Sequence, residues 1–105
     1  MILREKDRLA LVAIFSTLTI PVEVWAYGSR VNGTAHDGSD LDLVIRDKEL
    51  KGLPIDIYME LVETIKNSNI PILVELIDWN RLPKNFHNQI ELQYEVLFDN
   101  QIDFL

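Results

Sequence analysis

The feature of this chain that most restricts its fold is the alternation in the segment Asp40-Leu-Asp-Leu-Val-Ile45. Successive side chains of a β-strand point to opposite faces, so the aliphatic residues at 41, 43 and 45 share one face while Asp40 and Asp42 share the other. The segment therefore predicts a strand in a two-faced sheet, with two carboxylates on the face turned away from the core.

A second segment shows the same pattern. Residues 72–77 read Ile-Leu-Val-Glu-Leu-Ile, which predicts a strand whose aliphatic face carries positions 72, 74 and 76, with Glu75 on the opposite face. We therefore expect two neighbouring strands, each with one apolar face and one face bearing carboxylate. The simplest arrangement packs the apolar faces under helices and leaves the acidic face open, where a metal site can form.

The remaining segments complete a small α/β unit. The predicted elements, in chain order, are a helix over residues 3–19, a strand over 22–27, a turn and loop over 29–39, a strand over 41–45, a helix opened by Pro54, a strand over 72–77, a helix over 83–92, and a short strand or helix end over 94–98. This order predicts an α/β (α+β) fold. We expect a small mixed β-sheet with helices on one face and an open acidic face.

Length and charge narrow the function classes. The chain has 105 residues, which predicts a single domain over residues 1–105. It has no cysteine and a charged N-terminus, and its longest apolar stretch, residues 9–15, is far below the roughly 20 residues that span a bilayer. We therefore expect a cytoplasmic protein without a membrane segment. The net charge of −7 argues against general nucleic-acid binding, although a local phosphate or cation site remains compatible with it.

Two short motifs carry candidate chemistry. Asp40 and Asp42 lie two positions apart on a strand, so their Cα atoms are roughly 6.5–7 Å apart and their oxygens can converge on one cation or bridge two. Gly28-Ser29 follows the first strand, where glycine allows close backbone approach and the start of a short helix would favour phosphate. Each motif alone is common, since most Asp-x-Asp pairs are solvated surface and Gly-Ser is first of all a turn.

The spacing between the two motifs is more specific. The chain reads Gly28-Ser-Arg-Val-Asn-Gly-Thr-Ala-His-Asp-Gly-Ser-Asp-Leu-Asp42, that is, Gly-Ser, ten residues, Asp-x-Asp. In this respect it resembles the nucleotidyltransferases of the DNA polymerase beta-like superfamily, whose signature has the same spacing. The resemblance is strongest over residues 24–45, and the order of elements extends it over nearly the whole chain. The short length further resembles the minimal nucleotidyltransferases, which are often encoded beside an α-helical HEPN-domain protein.

This resemblance implies an Mg²⁺-dependent nucleotidyltransferase that uses ATP. Some of these gene pairs behave as toxin and antitoxin, and in the best understood pair the nucleotidyltransferase is the antitoxin, which adds AMP to a tyrosine of the HEPN toxin. The resemblance therefore implies an antitoxin enzyme with a HEPN-type protein as its partner. Because no further domain is present to hold the acceptor, a partner chain or a homo-oligomer would shape the acceptor site.

The resemblance also implies roles for individual acids. Asp40 and Asp42 would hold two Mg²⁺ ions, and the third acid of the family falls on Glu75, as shared metal ligand or base. The family usually has Asp at that position, and the longer Glu side chain would shift the metal or weaken base catalysis. Asp78 is a less suitable third acid because alternation places it on the opposite face of the strand.

The predicted nucleotide-binding residues are Gly28, Ser29, Arg30 and Ser39. Gly28 and Ser29 would cradle the β- and γ-phosphates. Two roles are open for Arg30, a phosphate contact or a brace for the loop, and Ser39 would either orient Asp40 or cap the strand.

Two other functions remain open at this point. Glu75 in place of Asp is compatible with a non-catalytic antitoxin or nucleotide-binding module that neutralises its partner by binding. Clustered carboxylates also serve metal-dependent phosphohydrolases and nucleases, although the Gly-Ser element and the net charge argue against that class.

Overall fold

A four-stranded mixed sheet forms the centre of the protein, seen in a computed structural model that describes residues 1–100. The elements are α1 (Glu5–Phe15), β1 (Val22–Tyr27), α2 (Ser29–Asn32), β2 (Leu41–Asp47), α3 (Ile55–Lys66), β3 (Val74–Asp78), a 3₁₀ turn (Trp79–Arg81), α4 (Lys84–Leu92) and β4 (Glu95–Asp99). The strand order is β3-β2-β1-β4. β1 pairs antiparallel with β2 and β4, whereas β2 pairs parallel with β3. The predicted domain end at residue 105 lies outside the described residues.

The predicted fold class, a mixed α/β sheet with helices, is confirmed, and the differences lie at element ends. The first helix is shorter than the predicted 3–19 because hydroxyls compete for its last carbonyls: Ser16 Oγ donates to Val12 O at 2.6 Å and Thr17 Oγ1 to Ile14 O at 2.8 Å. The second strand runs two residues further than predicted, and the third starts two residues later. The ambiguous segment 94–98 forms strand β4.

The main core lies between one face of the sheet and helices α1 and α3. Leu41, Leu43 and Ile45 are fully buried in it, as the alternation of β2 predicts. Leu11 and Phe15 of α1 pack onto the same cluster, as do Leu61 and Ile65 of α3. This packing fixes the orientation of β2 and β3, and so determines which way their acidic side chains project.

The acid-bearing face is less open than the sequence suggested. A second cluster on this face contains Trp25, Val44, Trp79 and Ile90, and α4 covers it. Its cause is the pair of apolar residues, Trp25 and Val44, that alternation places on the acidic side of the sheet. The guanidinium of Arg46 lies over both indoles, 4.2 Å from the Trp25 ring and 4.5 Å from the Trp79 ring. The second cluster therefore covers part of this face, while the end that carries Asp42 and Glu75 stays accessible.

Over residues 1–100, none of the helices has the length and apolar content required to cross a bilayer.

Candidate active site

The strands β2 and β3 bring two of the three predicted acids, Asp42 and Glu75, side by side, and the charge of the third, Asp40, acts on Asp42. Asp42 and Glu75 are direct partners in the parallel register of these strands. Neighbouring strands of a sheet lie about 4.8 Å apart, so the two residues are close. Asp40 immediately precedes β2 and is exposed, Asp42 is partly buried, and Glu75 is exposed. The site therefore has one partly buried carboxylate, that of Asp42, between two exposed ones.

The electrostatics of Asp42 show how close these groups are. Burial raises the pKa of its carboxyl group, and the negative charges of Glu75 and Asp40, together with a hydrogen-bond contact to Glu75, raise it further. The site therefore holds more negative charge than its surroundings neutralise. A divalent cation would relieve this repulsion, and carboxylate oxygens are the ligands that Mg²⁺ prefers.

The acids by themselves do not form a complete metal site. Within the described part of the chain, no group of three or more acidic or histidine side chains is arranged to hold a metal ion by itself. This fits Mg²⁺, which usually takes one or two protein carboxylates and completes its shell with water and substrate phosphates. The donor set is therefore compatible with a cation that arrives together with a nucleotide.

Gly28 ends β1 directly against Asp42. Its backbone has φ 79° and ψ −154°, a region essentially confined to glycine. A Cβ atom at this position would lie 2.5 Å from Asp42 Oδ2. Glycine is therefore strongly favoured at this turn, which brings the start of α2, at Ser29, beside the acids.

Arg30 braces the loop that leads into the acids. Its side chain is buried, and its guanidinium donates to backbone carbonyls: Nη1 to Ile2 O at 2.8 Å, Nη2 to Ser39 O at 2.8 Å, Nη2 to Asp37 O at 3.2 Å and Nε to Ser39 O at 3.0 Å. Of the two roles open for Arg30, these hydrogen bonds support the brace, and the phosphate contact stays a prediction. Ser39 has a similar role, because its Oγ accepts from the backbone N–H of His36 at 3.0 Å.

We expect Arg30→Ala to lower the free energy of unfolding by about 2–4 kcal/mol, because several backbone carbonyls lose hydrogen bonds from a buried guanidinium. Arg30→Lys should lose most of the same stability, since an ammonium cannot reproduce the guanidinium fork. Chemical denaturation measures both. Arg8→Ala removes a partly exposed arginine whose ion-pair partner within residues 1–100 is Glu5 on the same helix, so it should change little. Equal losses for the Arg8 and Arg30 variants would contradict the bracing role.

Asp78, the weaker candidate for the third acid, has a structural role. Its side chain is 2% exposed and accepts hydrogen bonds from Leu53 N at 2.9 Å and Asn80 N at 3.1 Å. It thereby caps the 3₁₀ turn and anchors the segment before α3. Asp78 is committed to these backbone groups, so Glu75 is the acid of β3 that is available to a ligand.

Tyr27 also lies at the site, although no role for it is predicted from the sequence. It pairs with Asp42 in the β1–β2 register and directly precedes Gly28. Burial and the negative charges of Asp42 and Glu75 raise the pKa of its phenol to about 12, so the hydroxyl stays protonated at neutral pH. Its position next to Gly28 on a predicted strand was the available signal.

The chain matches a family of known proteins over most of its length. The family described as polymerase beta, nucleotidyltransferase matches residues 10–103. Among curated proteins, the probable protein adenylyltransferase MntA of Haemophilus influenzae is 35% identical over 100 residues, which cover 92% of this chain and 84% of that protein.

Two solved structures share the fold. A toxin–antitoxin crystal structure with AMP-PNP matches with a TM-score of 0.69 at 19% identity, over 93% of this chain and 76% of that one. A complex of tri-AMPylated Shewanella oneidensis HEPN toxin with MNT antitoxin matches with a TM-score of 0.66 at 15% identity, over 94% of this chain and 75% of that one. At these identities the structures show the fold alone. The family match and the MntA relative, taken with the geometry of the acids and Gly28, establish that this chain belongs to the polymerase beta nucleotidyltransferase family.

Proposed function

We propose that this protein is an Mg²⁺-dependent nucleotidyltransferase that transfers AMP from ATP to a hydroxyl group of a HEPN-type partner protein, and so acts as an antitoxin. The observation that carries the proposal is the packing of the Gly28-Ser29 turn against Asp42, with Glu75 beside it on the next strand. This arrangement supports the proposal because it sets backbone that could bind phosphate next to carboxylates that could bind a cation.

Relatives support the acceptor and the nucleotide. The MntA relative is described as a probable protein adenylyltransferase, and one complex of the same fold holds a tri-AMPylated HEPN toxin together with an MNT antitoxin. Another structure of this fold contains AMP-PNP, an ATP analogue. A reaction between ATP and a toxin of this kind would take place in the cytoplasm.

The protein's own residues bind and orient the reactants. At the start of α2 the N–H groups of Val31 and Asn32 donate to Gly28 O, so those of Ser29 and Arg30 would be the ones that donate to the β- and γ-phosphates. Asp40, Asp42 and Glu75 would hold Mg²⁺, two ions in the form implied by the family. When bound there, Mg²⁺ would supply charge stabilisation at the α-phosphate and favour loss of the proton from the attacking hydroxyl.

The proposed transfer of AMP needs no reactant besides ATP and the acceptor hydroxyl. The acceptor oxygen forms a bond to the α-phosphorus of ATP, the bond from that phosphorus to the bridging oxygen breaks, and pyrophosphate leaves. Glu75 is the exposed carboxylate that can accept the proton of the acceptor hydroxyl. Because Glu75 reaches one methylene further than aspartate, we expect it to take this proton farther from β3.

The proposal is tested with labelled ATP and the cognate HEPN protein. Wild-type protein should label its partner with Mg²⁺ and not with EDTA. Asp40→Asn should lower labelling by about 100-fold or more, because the charge stabilisation by a metal is worth several kcal/mol. Asp37→Asn is the matched control, since it is the same change three residues earlier on an exposed part of the loop, and it should label normally.

Two outcomes would contradict the proposal. Equal labelling by Asp40→Asn would remove the metal-ligand assignment. Tight stoichiometric inhibition of the partner, with no labelling under any condition, would instead show a binding antitoxin without turnover.

A further inference from the structure

A pocket adjoins the candidate active site on the side of β1 and α4. It has a volume of about 490 Å³, within the range typical of small-molecule sites. Its lining residues are Tyr27, Gly28, Asn32, Phe86, Gln89, Ile90, Leu92 and Gln93. Gly28 belongs both to this pocket and to the turn that packs against Asp42, so the pocket is continuous with the site.

The chemistry of the lining differs from that of the acidic edge. The described residues that line the pocket carry no formal charge. Tyr27 and Phe86 offer aromatic rings and Ile90 an aliphatic floor, while Gln89 and Gln93 offer primary amides. A ligand that fits here has a flat apolar body and an edge of hydrogen-bond donors and acceptors.

A nucleobase has this chemistry. Every base presents a face that stacks on aromatic side chains, and glutamine or asparagine amides pair in a bidentate way with the edge of adenine. A phosphate would need a cationic side chain or free N–H groups, and the residues that line the pocket include no lysine or arginine. The lining therefore favours the nucleoside part of the substrate over its phosphates.

The wall formed by α4 is held in place from beneath. Ile90 is 4% exposed and packs into the second cluster, and the His87 ring stacks on Trp79 with centroids 3.9 Å apart. His87 Nε2 also lies 2.6 Å from Trp79 O. By contrast, the ring of Phe86 on the same helix is 49% exposed. A rigid helix thus presents an exposed aromatic ring beside the site.

We propose that this pocket is the nucleoside subsite of the enzyme, with Phe86 stacking on a purine base and Gln89 and Gln93 hydrogen-bonding to its edge. The inference rests on the proposed function, since it assumes that the triphosphate lies at Gly28-Ser29. It assigns specificity for the base to α4, away from the acids that carry the chemistry.

The test separates the base from the phosphates. Titration calorimetry of the whole chain with Mg²⁺ compares ATP with inorganic tripolyphosphate. Phe86→Ala should weaken ATP binding about tenfold, roughly 1.4 kcal/mol, and leave tripolyphosphate binding unchanged. Gln89→Leu should reduce the preference for ATP over CTP. Met59→Ala is the control, an equally exposed apolar residue on α3, and should alter neither ligand.

Each alternative result has a distinct meaning. If Phe86→Ala leaves ATP binding unchanged, or weakens both ligands equally while circular dichroism shows a native fold, the subsite assignment is wrong. If it leaves ATP binding unchanged but raises the KM for the HEPN protein, the pocket holds the acceptor instead. If wild-type protein binds neither ligand with Mg²⁺, the proposed function fails, and the subsite fails with it.

Discussion

Asp42→Asn is expected to abolish nucleotidyl transfer and, at the same time, to make the metal-free protein more stable. Asp42 is the acid that contacts Glu75 and lies within reach of the charge of Asp40, so its loss removes the centre of the proposed cation site. We expect the rate to fall by about 1,000-fold or more, since metal charge stabilisation contributes several kcal/mol to such reactions.

The gain in stability follows from the same electrostatics. Burial and the two neighbouring acids raise the pKa of Asp42 in the folded protein above its ordinary value of 3.8. Protonation of this carboxyl therefore favours the folded state, and that contribution is present below pH 3.8 and is lost as the pH rises through the folded pKa. At neutral pH the ionised carboxylate opposes folding, and asparagine removes this penalty.

Denaturation across a pH series, without metal, measures the effect. The stability difference between Asp42→Asn and wild type should widen as the pH rises from the acid range to neutrality. Asp56→Asn is a matched control, because it makes the same change at an exposed position of α3. If Asp42→Asn is less stable than wild type at neutral pH without metal, then Asp42 makes favourable contacts that outweigh its repulsion.

The alternation of apolar and acidic residues along the strands was the basis for predicting which side chains face the core. It placed Leu41, Leu43 and Ile45 in the core and turned Asp42 and Glu75 to the other face, which the structure shows. It also disfavoured Asp78 as a site residue, and Asp78 is buried against the backbone of Leu53. Period-two patterns are strong predictors because a one-residue slip would exchange the two faces of the strand.

Contacts between segments that are distant in the chain could not be predicted from local sequence patterns. The second cluster forms because Trp79 and Ile90 fold back onto Trp25, more than fifty residues earlier in the chain. No local periodicity specifies that encounter, so the covered part of the acidic face was missed. The bracing role of Arg30 was not predictable from local patterns for the same reason, because one of its carbonyl partners is Ile2, which precedes α1 in the chain.

Gly28→Ala should damage both the fold and the site, and it is the substitution that most directly tests their contact. Alanine in the glycine-only region of φ and ψ costs about 1–3 kcal/mol in backbone strain. In addition, its Cβ would lie 2.5 Å from Asp42 Oδ2, so the carboxylate or the end of β1 must move. We expect a loss of about 3 kcal/mol or more in the free energy of unfolding, and loss of transfer by the remaining folded protein.

Gly33→Ala provides the matched control because it adds the same methyl group at φ 87° but with no neighbouring heavy atom within 4 Å. It should cost about 1–2 kcal/mol from backbone strain and leave the activity of the folded protein intact. A double-mutant cycle then isolates the contact itself. Since Asp42→Ala removes the oxygen that the new Cβ would meet, Gly28→Ala should cost about 1 kcal/mol less in that background. Strict additivity of the two changes would show that Gly28 is required for its backbone conformation alone, and that its approach to Asp42 contributes nothing to the stability of the turn.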